Sequence, residues 1–202
     1  MKLLFCSLSN RSKLSSKIYE HNSQYYSKYG FDFTYEDKSL CDDRHIAWSK
    51  ILLLQRCLEQ DYDYVIWIDD DILIMNHDID FRDIINKYNP ETIMVDDNNN
   101  LSRWNINTGM IVCKRNEKTK SMLKEVWENA KHEHYFGGVW ENDTMNEYRD
   151  QYTIIPHRTI QSFTRFYKID DFSIHFAGLD SDVRIKLRDE YINSFKNKSM
   201  LK

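Results

Sequence analysis

The chain has 202 residues, the size of one ordinary domain, and its 41% apolar and 30% charged content describes a buried core under a charged surface. Disordered and collagen-like chains are thereby excluded. Twenty-eight basic against 32 acidic residues leave a formal charge of −4, which gives no general electrostatic grip on a nucleic-acid backbone.

Only five Gly and two Pro occur beside sixteen Asn, so asparagine is expected in many turns. The cysteines Cys6, Cys41, Cys57 and Cys113 are scattered singly, which indicates neither a disulfide scaffold nor a cysteine zinc knuckle and fits the cytoplasm or another reducing compartment. Met1 to Cys6 is too short for a signal-peptide core. The most apolar windows, such as Tyr64 to Met75, are broken by carboxylates and fall short of a membrane span.

In chain order, Lys2 to Cys6 predicts a strand, Ser12 to Tyr29 a helix from Leu14, Ile18, Tyr25 and Tyr29, and Phe31 to Tyr35 an alternating strand. Asp43 to Gln60 predicts the clearest helix, with Asp43 as its cap and Trp48, Ile51, Leu52 and Leu58 close to one face. Val65 to Ile68 is a short, nearly continuous apolar run that suits a strand buried on both faces, ended by three carboxylates. Ile72 to Met75 resumes strand character, and Phe81 to Tyr88 predicts a short helix stopped by Asn89 and Pro90.

Thr92 to Val95 predicts a strand, Asp96 to Asn100 a polar loop, and Ile106 to Cys113 a strand interrupted by Gly109. A helix over Glu117 to Ala130 precedes an aromatic, glycine-bearing loop, His132 to Trp140, placed over a cleft with Trp140 as a platform for a sugar face. Asn142 or Asp143 caps a short helix through Arg149, short strands follow at 154–155, 163–167 and 172–176, and Ser181 to Phe195 closes as a helix. The alternation predicts one α/β unit with a largely parallel sheet flanked by helices, whose ligands collect beyond the carboxyl ends of the strands.

Chemistry concentrates at Trp67-Ile68-Asp69-Asp70-Asp71. Three adjacent carboxylates beside a core repel one another and lose hydration unless a cation compensates them. Alternation puts Asp69 and Asp71 on one side, able to share one ion, with Asp70 directed elsewhere. A solvated aspartate turn is the plain alternative. His175, isolated between Ile174 and Phe176 near the end of a late strand, is the candidate third ligand, although a satisfied core histidine reads the same by itself. One imidazole with two carboxylates suits Mn2+ and tolerates Mg2+ or Zn2+. Such an ion can serve either sugar transfer from a diphosphate or hydrolysis, and periodicity does not choose between them.

Over most of its length the sequence resembles the GT-A glycosyltransferases, specifically the galactosyl-, mannosyl- and xylosyltransferase group of yeast and plant Golgi enzymes. The landmarks are Trp48-Ser49-Lys50, Val65 to Asp71, Asn107-Thr108-Gly109, Arg115-Asn116, Asp150-Gln151 and His175-Phe176-Ala177-Gly178. The resemblance implies a GT-A nucleotide-diphospho-sugar transferase fold over residues 1–202, with Asp69, Asp71 and His175 binding manganese that carries the donor diphosphate.

It further implies that Asp70 lies near donor sugar or ribose, that Asn107, Thr108 and Gly109 line the sugar or acceptor side, and that Gly178 belongs to the donor pocket. Gln151 is implied to stabilise positive charge at the anomeric carbon in a retaining transfer, with Asp150 orienting hydroxyls. In an inverting enzyme Asp150 or Glu147 would be the base. Among Arg184, Lys186 and Arg188, which cannot all face one ligand, Lys186 is the expected diphosphate contact. Lys50 is expected to neutralise a phosphate or pair with a site carboxylate, Ser7 to Asn10 to meet the base or ribose, and Tyr35 to stack on the base. The expected partners are a UDP-linked sugar and a saccharide or glycoprotein acceptor. Cellular members carry an anchor and stem, whereas this sequence starts on its first strand, which implies a soluble form. A nucleotide-sugar hydrolase and a non-catalytic sugar-binding domain are the competing readings.

Overall fold

A computed structural model describes residues 1–97 and 106–199. Strand β1 (Leu3–Leu8) is buried along its whole length and pairs in parallel with β2 (Asp32–Glu36) and β3 (Tyr64–Ile68). A strand covered on both faces must be apolar at successive positions, which is why β1 and β3 read as continuous hydrophobic runs. Helix α1 (Ser12–Tyr29) connects β1 to β2 and ends at Gly30, whose φ of 66° is a left-handed conformation that glycine adopts without a steric penalty.

A single 3-10 turn, Ile46–Trp48, leads into α2 (Ser49–Leu58). The helix therefore starts later than Asp43, and Asp43 does not cap it. The 3-10 turn before it is capped instead by His45, whose Nδ1 accepts from the Ala47 amide at 3.2 Å. After β3 come β4 (Ile72–Ile74) and α3 (Phe81–Tyr88), which Asp80 caps at the Arg82 amide and which stops at left-handed Asn89 before Pro90. Next are β5 (Ile93–Asp97), β6 (Ile106–Lys114) and α4 (Glu117–Glu128), capped by Asn116. Asp96 belongs to β5 and is buried, not part of a polar loop, because it accepts the amide of Gln161 at 2.9 Å; the remainder of that loop, Asn98 to Asn100, lies outside the described residues.

The segment expected as a loop from His132 contains α5 (Glu133–Phe136), and α6 (Glu141–Glu147) starts before Asn142 and Asp143. Then follow a 3-10 turn at Arg149–Gln151, β7 (Thr153–Ile155), the short β8 (Ser162–Phe163), β9 (Ser173–His175) and α7 (Ser181–Ser199).

The main sheet has the order β2-β1-β3-β6-β5-β7, and β6 alone runs antiparallel to its neighbours. A smaller sheet, β4-β9-β8, adjoins it. Two apolar layers cover the main sheet: Trp48, Leu54, Leu123 and Met145 on one face, and Tyr25, Phe81 and Phe172 on the other. Because β6 is reversed, its beginning lies beside the end of β3, so Ile68 faces Met110 and the Asn107-Thr108-Gly109 segment reaches the same rim as the aspartates.

Candidate active site

The rim opens into a cleft of about 770 Å³. Asp69 leaves the end of β3 with its amide donating to the Gly109 carbonyl at 2.8 Å, and its own carbonyl accepts the Ile72 amide at 3.1 Å. Asp71 is fixed by the Phe176 amide, which donates to its carbonyl at 3.0 Å. These backbone bonds bring His175 Nε2 to 3.2 Å from Asp71 Oδ1 and 3.7 Å from Asp69 Oδ2. Ligand atoms of the three side chains lie within 4.8 Å of one another.

Electrostatics keep Asp71 anionic. Burial would push the Asp71 carboxyl up, but His175, Arg184 and Arg11 outweigh it and hold the group at about 2. Arg184 Nη1 donates to Asp71 Oδ2 at 2.7 Å. Asp69 Oδ1 accepts Trp67 Nε1 at 2.6 Å. Two carboxylates and one imidazole form a donor set that fits a divalent ion such as Mn2+.

Asp70 points away from the other two, into a fork of Arg11, with the Ser9 hydroxyl donating to the same carboxylate. Burial nevertheless dominates there and pushes the Asp70 carboxyl up. Lys50 is buried, its Nζ donating to the Thr108 carbonyl at 2.9 Å and to Glu141 Oε1 at 2.6 Å, with Asp69 Oδ1 at 3.2 Å. Burial alone would lower this amine, but Asp69 and Glu141 raise it further, so it stays charged. Of its two expected roles, pairing with site carboxylates is the one the geometry displays. Thr108 is tied to Asn142 Oδ1 through both its amide, at 3.1 Å, and its hydroxyl, at 2.8 Å.

The absence of a side chain at Gly109 is a packing requirement. A Cβ there would fall 2.3 Å from His175 Cε1, so β6 and the imidazole approach this closely only across a glycine. Gly178, with φ 73°, also lines the cleft, as do Asn10 and Asn107.

Four expected site residues lie elsewhere. Ser7 is sealed beneath the cleft floor, its hydroxyl donating to the Ile68 carbonyl at 2.7 Å, and the hydroxyl at the rim is that of Ser9. Lys186 projects from α7 with 77% of its side chain exposed and pairs with Glu190 at 3.9 Å; the cleft-lining cation of that helix is Arg184. Asp150 and Gln151 sit on the exposed turn after α6, where the Asp150 side chain is 94% exposed. The alternative base, Glu147, pairs at the surface with Lys131. Helix α6 presents its first residues, Glu141 and Asn142, to the cleft and carries its last ones away, so these two line the cleft and Asp150 and Gln151 do not.

Sequence reasoning also missed Arg11 and the orientation of α7. Arg184 and Arg188 are four apart and share a helical face, and this spacing was the signal that separated Arg184 from Lys186. Tyr35 is exposed and rests on Tyr19 with centroids 5.1 Å apart, and it is not a cleft-lining residue. Trp140 does line the cleft, stacked on His45 at 3.9 Å and 5°, and holds a φ of 50° that is rare for a bulky residue. The segment before it is tied to α2 by Trp48 Nε1, which donates to the His134 carbonyl at 2.9 Å, and His134 Nδ1 lies against the Thr144 hydroxyl.

The sequence profile of the galactosyl transferase GMA12/MNN10 family matches residues 5–105, half of the chain, across β1, the aspartate segment and Lys50. The chain belongs to this family. Among solved structures it is similar to a glycosyltransferase involved in glycosylation of the major capsid of the virus PBCV-1, with a TM-score of 0.80 and 17% identity over 94% of this chain and 100% of that one. It is also similar to GlyE of Streptococcus pneumoniae, with a TM-score of 0.60, 12% identity and coverage of 94% and 60%. A third similar structure is a Drosophila β1,4-galactosyltransferase 7 mutant in complex with manganese, UDP-Gal and xylobiose, with a TM-score of 0.53, 13% identity and coverage of 88% and 72%. Among curated proteins no sequence matches. This family member has the GT-A fold and is a glycosyltransferase. Among its described residues no helix is long and apolar enough to cross a membrane.

Proposed function

We propose that residues 1–202 form one catalytic domain that transfers a sugar from a nucleoside-diphosphate sugar, UDP-linked in the favoured reading, to a hydroxyl of a saccharide or glycoprotein acceptor. The observation that carries this reading is the meeting of Asp69, Asp71 and His175, from distant parts of the chain, at the mouth of one large cleft. These three hold Mn2+, with Mg2+ as the alternative. The ion supplies positive charge against the diphosphate leaving group. The manganese and UDP-Gal bound by the Drosophila structure support the choice of metal and donor.

The chain's own residues position the reactants. Arg184 offers a guanidinium to phosphate oxygens beside Asp71, and Arg11 fixes Asp70 toward the donor sugar or ribose. Asn107 and Thr108 form the sugar side of the pocket, and the Trp140 ring offers an apolar face for the acceptor. Placing the acceptor oxygen against the anomeric carbon supplies much of the rate. Transfer is with retention, and Glu141 and Asn142, held by Lys50 and Thr108, shape the cleft wall beside the sugar.

Mn2+-dependent binding of UDP-, GDP- and dTDP-sugars, followed by acceptor screening and NMR of the product's anomeric configuration, tests each part. A UDP-sugar that binds with Mn2+ and transfers only when acceptor is present supports the reading. Failure of every donor on folded, metal-loaded protein overturns it, hydrolysis without transfer replaces it with a nucleotide-sugar hydrolase, and an inverted product overturns retention.

A further inference from the structure

Two buried polar atoms beside the triad have no hydrogen-bond partner among the described residues: His175 Nδ1 and Gln161 Oε1. They flank the same spot, since a Cβ on Gly109 would lie 2.5 Å from Gln161 Oε1 and 2.7 Å from His175 Nδ1. Leaving a polar atom buried and unpaired costs free energy, so two orphans of complementary chemistry at one place point to each other.

The orientation of Gln161 is over-determined. Its amide donates to buried Asp96 at 2.9 Å, which also lies 3.3 Å from the Ile160 amide, and its Nε2 donates to the Asn107 carbonyl at 3.1 Å. With the NH2 group committed to a carbonyl, the other end of the side chain is an acceptor, which as placed makes no hydrogen bond and lies with His175 Nδ1 around the same point beside Gly109. It can pair only with a donor, and the imidazole nitrogen beside the same point can supply one as N–H. Phe163, stacked on His175 at 5.6 Å and 19°, limits tilting of the ring.

We infer that Gln161 is a positioning residue for His175, accepting Nδ1–H and thereby selecting the tautomer whose Nε2 lone pair faces Asp69 and Asp71. The selection matters because the carboxylates favour the opposite form. Asp71 Oδ1, 3.2 Å from Nε2, attracts a proton to that nitrogen, and an Nε2–H imidazole cannot ligate an ion through it. Gln161 supplies the counterweight on the far side of the ring, and Gly109 leaves the space for it. The value of this selection rests on the reading of His175 as a metal ligand, but the tautomer itself does not.

The test uses the full chain in two measurements. Long-range 1H–15N NMR, with His175 assigned by its loss in His175→Asn and recorded where the imidazole is neutral, should find the Nδ1–H tautomer in the wild type. Gln161→Met should shift it toward Nε2–H, whereas Gln161→Glu, which keeps an acceptor, should preserve it. Titration calorimetry with MnCl2 should show a loss of about 10–100-fold in affinity for Gln161→Met and a change of no more than a few-fold for Gln161→Glu. An Nε2–H tautomer in the wild type overturns the inference without need of any variant that must fold. So does a folded Gln161→Met with unchanged tautomer and unchanged Mn2+ affinity. A wild type that takes up no Mn2+ removes the metal reading, and the tautomer measured on that sample still decides the role of Gln161.

Discussion

Lys50 Nζ lies 2.6 Å from Glu141 Oε1, and each side chain is only 4% exposed, so this ion pair joins the start of α2 to the start of α6 through the interior of the cleft wall. Removing one partner strands the other. Lys50→Met should destabilise the protein by about 3–5 kcal/mol in urea unfolding at neutral pH, because Glu141 is left buried without its cation. Adding Glu141→Leu should recover most of that loss. A single variant of near-wild-type stability would show that water reaches this pair.

Asp71→Asn keeps the shape of the side chain and removes the charge that the surrounding cations hold at about 2. Mn2+ affinity should fall by about 100-fold or more, since a neutral amide is a poor ligand for a divalent ion. Calorimetric titration of folded protein measures this, and an unchanged affinity would place the ion elsewhere.

Gly109→Ala puts a methyl group 2.3 Å from His175 Cε1. Overpacking of this kind costs about 1–3 kcal/mol, and it should also weaken Mn2+ binding because the ring must retreat from the aspartates. Thermal unfolding and metal titration of the same sample report the two effects separately.

Acid should weaken the seam between α1 and α7. Burial, aided by neighbouring His21, pushes His77 down to about 4 from its ordinary 6.5, and the Phe195 ring lies 4.5 Å from His77 and 4.7 Å from His21. Between those two pH values the unfolded chain binds the proton and the folded chain resists it, so stability is full above about 6.5 and declines as pH falls toward 4. Unfolding free energies from pH 7 to 4 should show a shallower decline for His77→Asn than for the wild type. Parallel curves would exclude His77 as a source of the acid sensitivity.

The meeting of Asp69, Asp71 and His175 was legible because each member follows from local chemistry: carboxylates at the end of an apolar strand, and an imidazole amid apolar neighbours. Roles set by the direction of a helix were not. Glu141 and Gln151 lie on the same short stretch of chain, and only the axis of α6 decides which end meets the cleft. Arg188 looked equivalent to Arg184, yet it is buried with its guanidinium on the Lys13 and Leu14 carbonyls. The reversal of β6 also left no mark, since a buried strand reads the same in either direction, and the approach of Gln161 and His175 to the same side of Gly109 is encoded by no spacing along the chain.

Asp69 directly follows a strand of the large sheet, Asp71 directly precedes one of the small sheet, and His175 lies directly across from Ile72 in that second sheet. A cation gripped by all three would act as a rivet through the joint between two separately hydrogen-bonded slabs. Occupancy would therefore slow amide exchange along Ile72–Ile74 and raise the melting temperature in proportion to the logarithm of free Mn2+, well before any sugar enters.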